Sequence, residues 1–161
     1  ILKCFDFDYF EFETQNNEYG KPYIINSDKK VFFNISHSGE YVVCAVDICD
    51  LGVDIETRNS VDLTISEQFF SKNEHILIYQ DNSKFYDLWV LKESYIKAEG
   101  KGLSIPLNSF ELTISSTKKI EFSWPNKDKW DFALYDVDTK YALGLCVAKN
   151  RTPTKLEHIE I

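Results

Sequence analysis

Asp54 and Glu56 flank Ile55 in Gly52-Val53-Asp54-Ile55-Glu56, where apolar and acidic side chains alternate. In a strand this alternation sends Val53 and Ile55 to the core and both carboxylates to the opposite face. Two such carboxylates offer the hard oxygen ligands that Mg²⁺ accepts, with room left for water and phosphate. A solvated acidic strand face gives the same pattern, so the pair alone is evenly balanced between the two readings. Glu93 changes the balance if a later helix crosses this strand, because i, i+4 spacing puts it on one helical face with Trp89 and Lys97. Unit charges about 4 Å apart repel by roughly 4 kcal/mol at an effective dielectric of about 20. Three clustered carboxylates therefore need protons or a cation, and a divalent metal supplies one.

Taken alone, Glu93 and Lys97 would read as an exposed helical ion pair worth roughly 0.3–0.5 kcal/mol. Yet residues 84–101 carry Lys84, Lys92, Lys97 and Lys101 against Asp87, Glu93 and Glu99, a local excess of cations in a chain of net charge −8. Lysines beside a magnesium site suit a polyphosphate, since ammonium groups hold the outer oxygens that the metal does not neutralise. Ser36-His37-Ser38-Gly39 reads as a turn and, less readily, as an anion nest of hydroxyl, imidazole and backbone amides. Lys21, in Gly20-Lys21-Pro22, is a cation on a rigid turn. Glu74 stands three residues after Ser71, which suits a capping box. His75 and His158 have no metal-ligand spacing, and P-loop, Gly-x-Ser-x-Gly and zinc-type Cys/His signatures are absent.

The elements that position these groups follow from periodicity. Tyr9 to Glu13 roughly alternates and predicts a strand ending in a Thr14–Asn17 turn. Val31 to Ile35 and the apolar run Tyr41 to Asp47 predict a hairpin around Ser36–Gly39, with the second strand central. Three consecutive helices follow: one from Thr64 with a Thr64/Glu67 capping box, one from Ser71, and a long one from about Lys84 to Glu99 ended by Gly100. Segments near Phe110–Ile114, Lys119–Phe122, Trp130–Asp136 and Tyr141–Val147 predict a terminal antiparallel meander. The run Val42–Val46 faintly echoes Leu143–Val147, as two related halves would.

Composition bounds the function classes. The chain has 161 residues, 43% of them hydrophobic and 15% aromatic, enough for a packed core and too apolar for intrinsic disorder. With 18 Lys and Arg against 26 Asp and Glu, it lacks the broad basic surface of a nucleic-acid binder. No apolar run reaches the roughly 18 residues that span a bilayer. Cys4, Cys44, Cys49 and Cys146 form no CxxC pair, and Cys44 and Cys146 sit in apolar runs as buried free thiols do, so a reducing cytoplasm is expected. The sequence begins at Ile1 and has no Met, which suggests a fragment of a longer chain.

In order, Gly20-Lys21-Pro22, Phe33-Asn34-Ile35-Ser36-His37-Ser38-Gly39, Gly52-Val53-Asp54-Ile55-Glu56, Phe69-Phe70-Ser71-Lys72-x-Glu74 and Trp89-x-x-Lys92-Glu93-Ser94-x-x-Lys97 resemble the Sfp-type 4′-phosphopantetheinyl transferases. Glu99-Gly100-Lys101-Gly102-Leu103 continues the likeness, which covers roughly residues 12–112. The resemblance implies an α+β fold of three consecutive helices on antiparallel strands, the 4′-phosphopantetheinyl transferase fold. It also implies a division into residues 1–50 (the end of a first pseudo-repeat half), 51–149 (a nearly complete second half) and a 150–161 tail. The implied reaction moves phosphopantetheine from coenzyme A to a serine of an apo acyl or peptidyl carrier protein, releasing adenosine 3′,5′-bisphosphate.

By the same resemblance, Asp54, Glu56 and Glu93 are expected to ligate Mg²⁺. Lys21, Ser36, His37, Lys92 and Lys97 are expected to contact coenzyme A phosphates, with Lys97 also assisting the departing bisphosphate. Glu93 or a water on the cation is the expected base, with Glu74 a second candidate. No nucleic acid or membrane is expected as a partner. The alternative is an inactive coenzyme A- or carrier-binding remnant, because most of a first half is not visible.

Overall fold

The computed structural model describes residues 13–25, 30–115, 117, 119–125, 127–135 and 137–153. The chain forms β1 (Thr14–Asn16), β2 (Pro22–Ile24), β3 (Phe32–Ser38), β4 (Tyr41–Asp47), β5 (Leu51–Thr57), α1 (Leu63–Phe69), α2 (Lys72–Gln80), α3 (Lys84–Glu99), β6 (Glu111–Ile114), β7 (Ile120–Ser123), β8 (Trp130–Tyr135) and β9 (Tyr141–Ala148). This is the expected α+β arrangement of three successive helices among antiparallel strands. Among the described residues no helix is long and apolar enough to cross a membrane.

The sheets divide more finely than a meander would. β9 lies at the centre of a three-stranded sheet, between β5 and β8, while β6 and β7 form a hairpin of their own. β9 is buried along nearly its whole length because it takes a strand on each edge and helix α3 on one face. Among the described residues β4 pairs only with β3 and keeps partial exposure, so the continuous apolar run Tyr41–Asp47 forms the outer strand of a hairpin there and not a central strand. The Thr14–Asn16 cluster, expected to turn, is strand β1 paired with Pro22–Ile24; the chain turns afterwards, at Asn17–Gly20, where Gly20 adopts φ +90°. Most of the expected Tyr9–Glu13 strand lies outside the described residues. The hairpin reversal after β3 is confined to Gly39 and Glu40, with Gly39 at φ +55°, so Ser36 and His37 lie on the strand itself.

Helix starts follow local hydrogen bonding. Asp62, not Thr64, caps α1: its carboxylate accepts from the Thr64 N–H, as a short acceptor one or two residues ahead of a helix does. Ser71 and Glu74 form the complete capping box expected of α2. α3 runs over the expected Lys84–Glu99 and stops at Gly100, whose φ of +68° is the left-handed conformation that glycine adopts at little cost. Two apolar clusters fill the interior. One gathers Phe70, Ile78, Phe85, Leu88, Leu91, Tyr95, Phe110 and Trp130 around α3; the other gathers Leu51, Val53, Ile55, Leu143, Leu145 and Val147 on the far face of β5 and β9. Cys44, Cys49 and Cys146 are free thiols, and Cys146 is fully buried.

Candidate active site between β5 and α3

Pleat alternation in β5 sends Leu51, Val53 and Ile55 into one cluster and Asp54 toward α3. The acidic face is therefore covered by a helix and not solvated, and Asp54 is only 3% exposed. Gly52 makes this cover possible. A Cβ there would lie 2.1 Å from the Ser94 carbonyl oxygen and 2.4 Å from the Ala98 nitrogen; Gly144 on β9 meets the Val90 backbone in the same way at 2.7 Å. Two glycines without side chains let α3 lie directly on the sheet, so Glu93 and Lys97 face Asp54.

The contacts of Asp54 are divided between its two oxygens. Oδ1 accepts from Lys97 Nζ at 2.5 Å and from Ser36 Oγ at 2.9 Å, whereas Oδ2 is buried without a hydrogen-bond partner. Burial raises the Asp54 pKa, with the Lys97 charge and the Lys97 and Ser36 hydrogen bonds opposing it. Glu56 is also raised, first by burial and then by the Asp54 charge, while the Ser38 hydrogen bond and the nearby Lys97 and His37 side chains pull it down. Glu93 is pushed up to about 7, chiefly by burial and then by Asp54 and Glu56, against Lys97. Glu56 and Glu93 thus both feel the Asp54 charge, and Glu93 feels Glu56 as well, with Lys97 the cation that opposes them.

Among the described residues, no three His, Cys, Asp or Glu side chains form a closed metal cage. The expected three-carboxylate ligand set is therefore not preassembled, because the Lys97 ammonium stands against Asp54. A Mg²⁺ site does not require such a cage, since this ion keeps several waters and takes one or two carboxylates plus substrate phosphates. The orphaned Asp54 Oδ2 beside Glu56 and Glu93 fits that donor set.

The other expected site residues separate into those near the cleft and those that are not. Lys21 Nζ donates to Leu51 O at 3.2 Å and Ala98 O at 2.9 Å, and burial lowers its pKa. An ammonium has three N–H donors, so one remains beyond these two carbonyls. Beside it opens a cleft of about 160 Å³ walled by Lys21, Tyr23, Phe32, Phe33, Asp50 and Gly100. Ser36 and His37 point to opposite faces of β3: Ser36 is buried against Asp54, and His37 is exposed within electrostatic reach of Glu56.

Lys92 and Glu74 do not belong with these residues. The Lys92 ammonium is fully buried, 2.9 Å from Glu74 Oε2, and donates to Leu107 O and Phe110 O at 2.8 Å each. It lies 4.2 Å from the centroid of the Phe110 ring. Glu74, besides meeting Lys92, accepts from the Ser71 and Leu112 N–H groups at 2.8 Å each. Their placement corrects the expectation of a phosphate-binding lysine and a second catalytic base, because neither group is open to substrate and all their polar valences are spent on α2, β6 and the chain leading into it. In Lys92-Glu93 the lysine is fully buried and the glutamate, partly exposed, is turned toward Asp54, as adjacent helical positions on different faces allow. Trp89 stacks on Phe85, with centroids 5.7 Å apart, and is the packing anchor its spacing implies.

Sequence reasoning missed Asn34. Its Oδ1 accepts from the Val53 N–H at 2.9 Å, Ser36 Oγ accepts from Ile55 N–H at 3.3 Å, and Ser38 Oγ accepts from Thr57 N–H at 2.9 Å. β5 is an edge strand, and the side chains of Asn34, Ser36 and Ser38 stand in for a neighbouring backbone along it. The signal was legible in principle: three short polar residues at i, i+2 and i+4 share one strand face.

A model of the 4′-phosphopantetheinyl transferase superfamily matches residues 50–146, the span that holds β5, all three helices and the carboxylate site. The chain is 38% identical over 154 residues to 4′-phosphopantetheinyl transferase Sfp of Bacillus subtilis, a match covering 92% of this chain and 68% of that protein. It is 44% identical over 119 residues to 4′-phosphopantetheinyl transferase gsp of Aneurinibacillus migulanus, covering 71% of this chain and 49% of that one. The fold is also that of Thermotoga maritima holo-[acyl-carrier-protein] synthase, at a TM-score of 0.52 and 20% identity over 63% of this chain and 64% of that one. The chain belongs to the 4′-phosphopantetheinyl transferase superfamily. Its matches span between about half and two thirds of the length of these two curated relatives.

Proposed function

We propose that this chain carries the metal and diphosphate site of an Sfp-type enzyme that transfers 4′-phosphopantetheine from coenzyme A to a serine of an apo acyl or peptidyl carrier protein. In this reading residues 1–50 end a first half, residues 51–149 form the second, and 150–161 are a tail. The observation that carries it is the buried carboxylate of Asp54, with one oxygen unpartnered, the other held by the Lys97 ammonium, and Glu56 and Glu93 within electrostatic reach. That pairing of hard anionic ligands with a cation suits a metal-bound diphosphate.

Asp54 and Glu56 would hold Mg²⁺ with Glu93 beside them. When bound, the ion neutralises charge that builds on the phosphoryl and leaving-group oxygens. The carrier serine oxygen attacks the phosphorus that bears the pantetheine arm; a new P–O bond forms as the P–O bond to adenosine 3′,5′-bisphosphate breaks. Glu93 takes the serine proton, a role for which its place beside Asp54 and Lys97 suits it and for which an ionised carboxylate is required. Lys97 offsets the charge that appears on the departing bisphosphate. Lys21, with one N–H to spare beside its cleft, holds the 3′-phosphate, and exposed His37 meets a phosphate from the other side of β3.

The test is the intact mass of an apo carrier protein incubated with this chain, coenzyme A and Mg²⁺. A phosphopantetheine adduct that disappears with chelator, and with Asp54→Ala or Glu93→Ala, is the expected result. Carrier binding with no adduct would instead identify a non-catalytic remnant.

A further inference from the structure

The Lys97 ammonium has three N–H donors and three acceptors in this structure: Asp54 Oδ1 at 2.5 Å, Ser36 Oγ at 3.1 Å and Val53 O at 3.2 Å. No donor is left for a phosphate. The same contact leaves Asp54 half engaged, with Oδ2 buried and unpartnered while Oδ1 is taken by a cation belonging to the protein. The Lys97 side chain is 28% exposed against 5% for Asp54, so the lysine is the partner of the pair with solvent to turn into, while the carboxylate stays buried. A divalent ion binding Asp54 must share the carboxylate with a positive charge 2.5 Å from Oδ1 or displace it, and the two cations repel at that range.

We propose that Lys97 is a resident counter-cation for Asp54 which leaves for the substrate diphosphate, so that divalent-metal binding at Asp54 stays weak until a diphosphate draws the lysine away. This rests on the reading of the site given above and adds a coupling to it. A diphosphate offers Lys97 several charged oxygens in exchange for the one it has in Asp54 Oδ1 and the two neutral acceptors Val53 O and Ser36 Oγ, and hydrogen bonds to charged oxygens are the stronger kind. Once Lys97 turns outward, both Asp54 oxygens are available. Metal and diphosphate then favour one another through a single side chain, and thermodynamic linkage makes the effect reciprocal. In the absence of both, Lys97 keeps the three carboxylates from repelling one another without a cation.

The experiment measures Mn²⁺ binding, as a spectroscopic stand-in for Mg²⁺, by electron paramagnetic resonance of the free ion, with no coenzyme A present. Wild type, Lys97→Met, Lys97→Gln and Lys97→Arg are compared, with Asp54→Asn to identify the site and circular dichroism melts to confirm folding. Asp54-dependent Mn²⁺ affinity is expected to rise about tenfold in Lys97→Met and Lys97→Gln, within the range typical of coupled sites, and to stay near wild type in Lys97→Arg, which keeps the charge. Gln can still donate to Ser36 and Val53, so it serves if Met does not fold. Unchanged or weaker Mn²⁺ binding in the neutral variants overturns the proposal while leaving the metal site itself standing. No Asp54-dependent binding in any of the proteins overturns both.

Discussion

The Ser94 carbonyl of α3 lies 2.1 Å from the point where a Cβ on Gly52 of β5 would stand. Helix and strand are therefore in backbone contact next to Asp54, and the whole carboxylate site depends on that missing side chain. Gly52→Ala places a methyl group against backbone atoms that have no rotamer to escape into, so α3 must shift as a unit. A loss of about 3 kcal/mol is expected, at the upper end of ordinary overpacking costs, together with at least a tenfold loss of the proposed transferase activity as Glu93 and Lys97 move away from Asp54. Urea denaturation checks the stability, and a midpoint equal to wild type would show that the contact is not this close.

The buried pair Lys92 and Glu74 yields a prediction of a different kind. Lys92→Met strands the Glu74 carboxylate in the interior, which typically costs about 3–5 kcal/mol. Adding Glu74→Gln removes the stranded charge while keeping an oxygen for the Leu112 N–H, so the double variant should be more stable than Lys92→Met alone. A double-mutant cycle on thermal unfolding reads this coupling. If Glu74 were instead a catalytic base, Glu74→Gln would abolish turnover in protein that is fully folded; activity per folded molecule is expected to survive.

What could be read from sequence follows how local the cause was. The α3 boundaries were legible because Lys84–Glu99 carries its own apolar stripe and a terminal glycine, and the Ser71/Glu74 box because a cap is decided within four residues. The convergence of Asp54 and Glu93 was legible as a condition, that the helix cross the strand, and the structure meets it through Gly52. The inward turn of Lys92 was legible in its period, since it falls four residues after Leu88 and three before Tyr95 on the buried stripe; what the sequence does not show is that Glu74 and the Leu107 and Phe110 carbonyls, all distant in the chain, are there to satisfy it. The Ser36–Gly39 turn was overextended for a related reason. Ser36 and Ser38 look like turn residues, but their hydroxyls serve the edge of β5, a demand that arises only once β5 lies beside β3.

That edge can be tested at Asn34. Its side chain is the sole listener to the Val53 N–H among the described residues, and a buried amide left without an acceptor costs about 1–3 kcal/mol. Asn34→Ala should lower stability by that amount and speed hydrogen exchange at Val53 more than at Ile55 or Thr57, whose acceptors remain. Uniform acceleration along β5 would mean that the three side chains act only through packing.

The carboxylate cluster should also be visible in the pH dependence of the metal-free protein. Glu93 titrates at about 7 when folded against 4.5 as a free side chain. Between those two values the folded state holds a proton that the unfolded state has released, so stability falls as pH rises through this window and levels off above about 7. Asp54 and Glu56, also raised, act in the same direction. The full Glu93 displacement would correspond to about 3 kcal/mol; partial solvent screening brings the expected loss to about 1–2 kcal/mol. Glu93→Gln, which cannot ionise, should flatten the decline in melting temperature from pH 5 to 8. Millimolar Mg²⁺ with a diphosphate should do the same to wild type, since a cation in the site favours the ionised carboxylates that the empty cluster resists. A melting temperature that rises over that interval in the metal-free protein would mean that the three acidic side chains do not share one site.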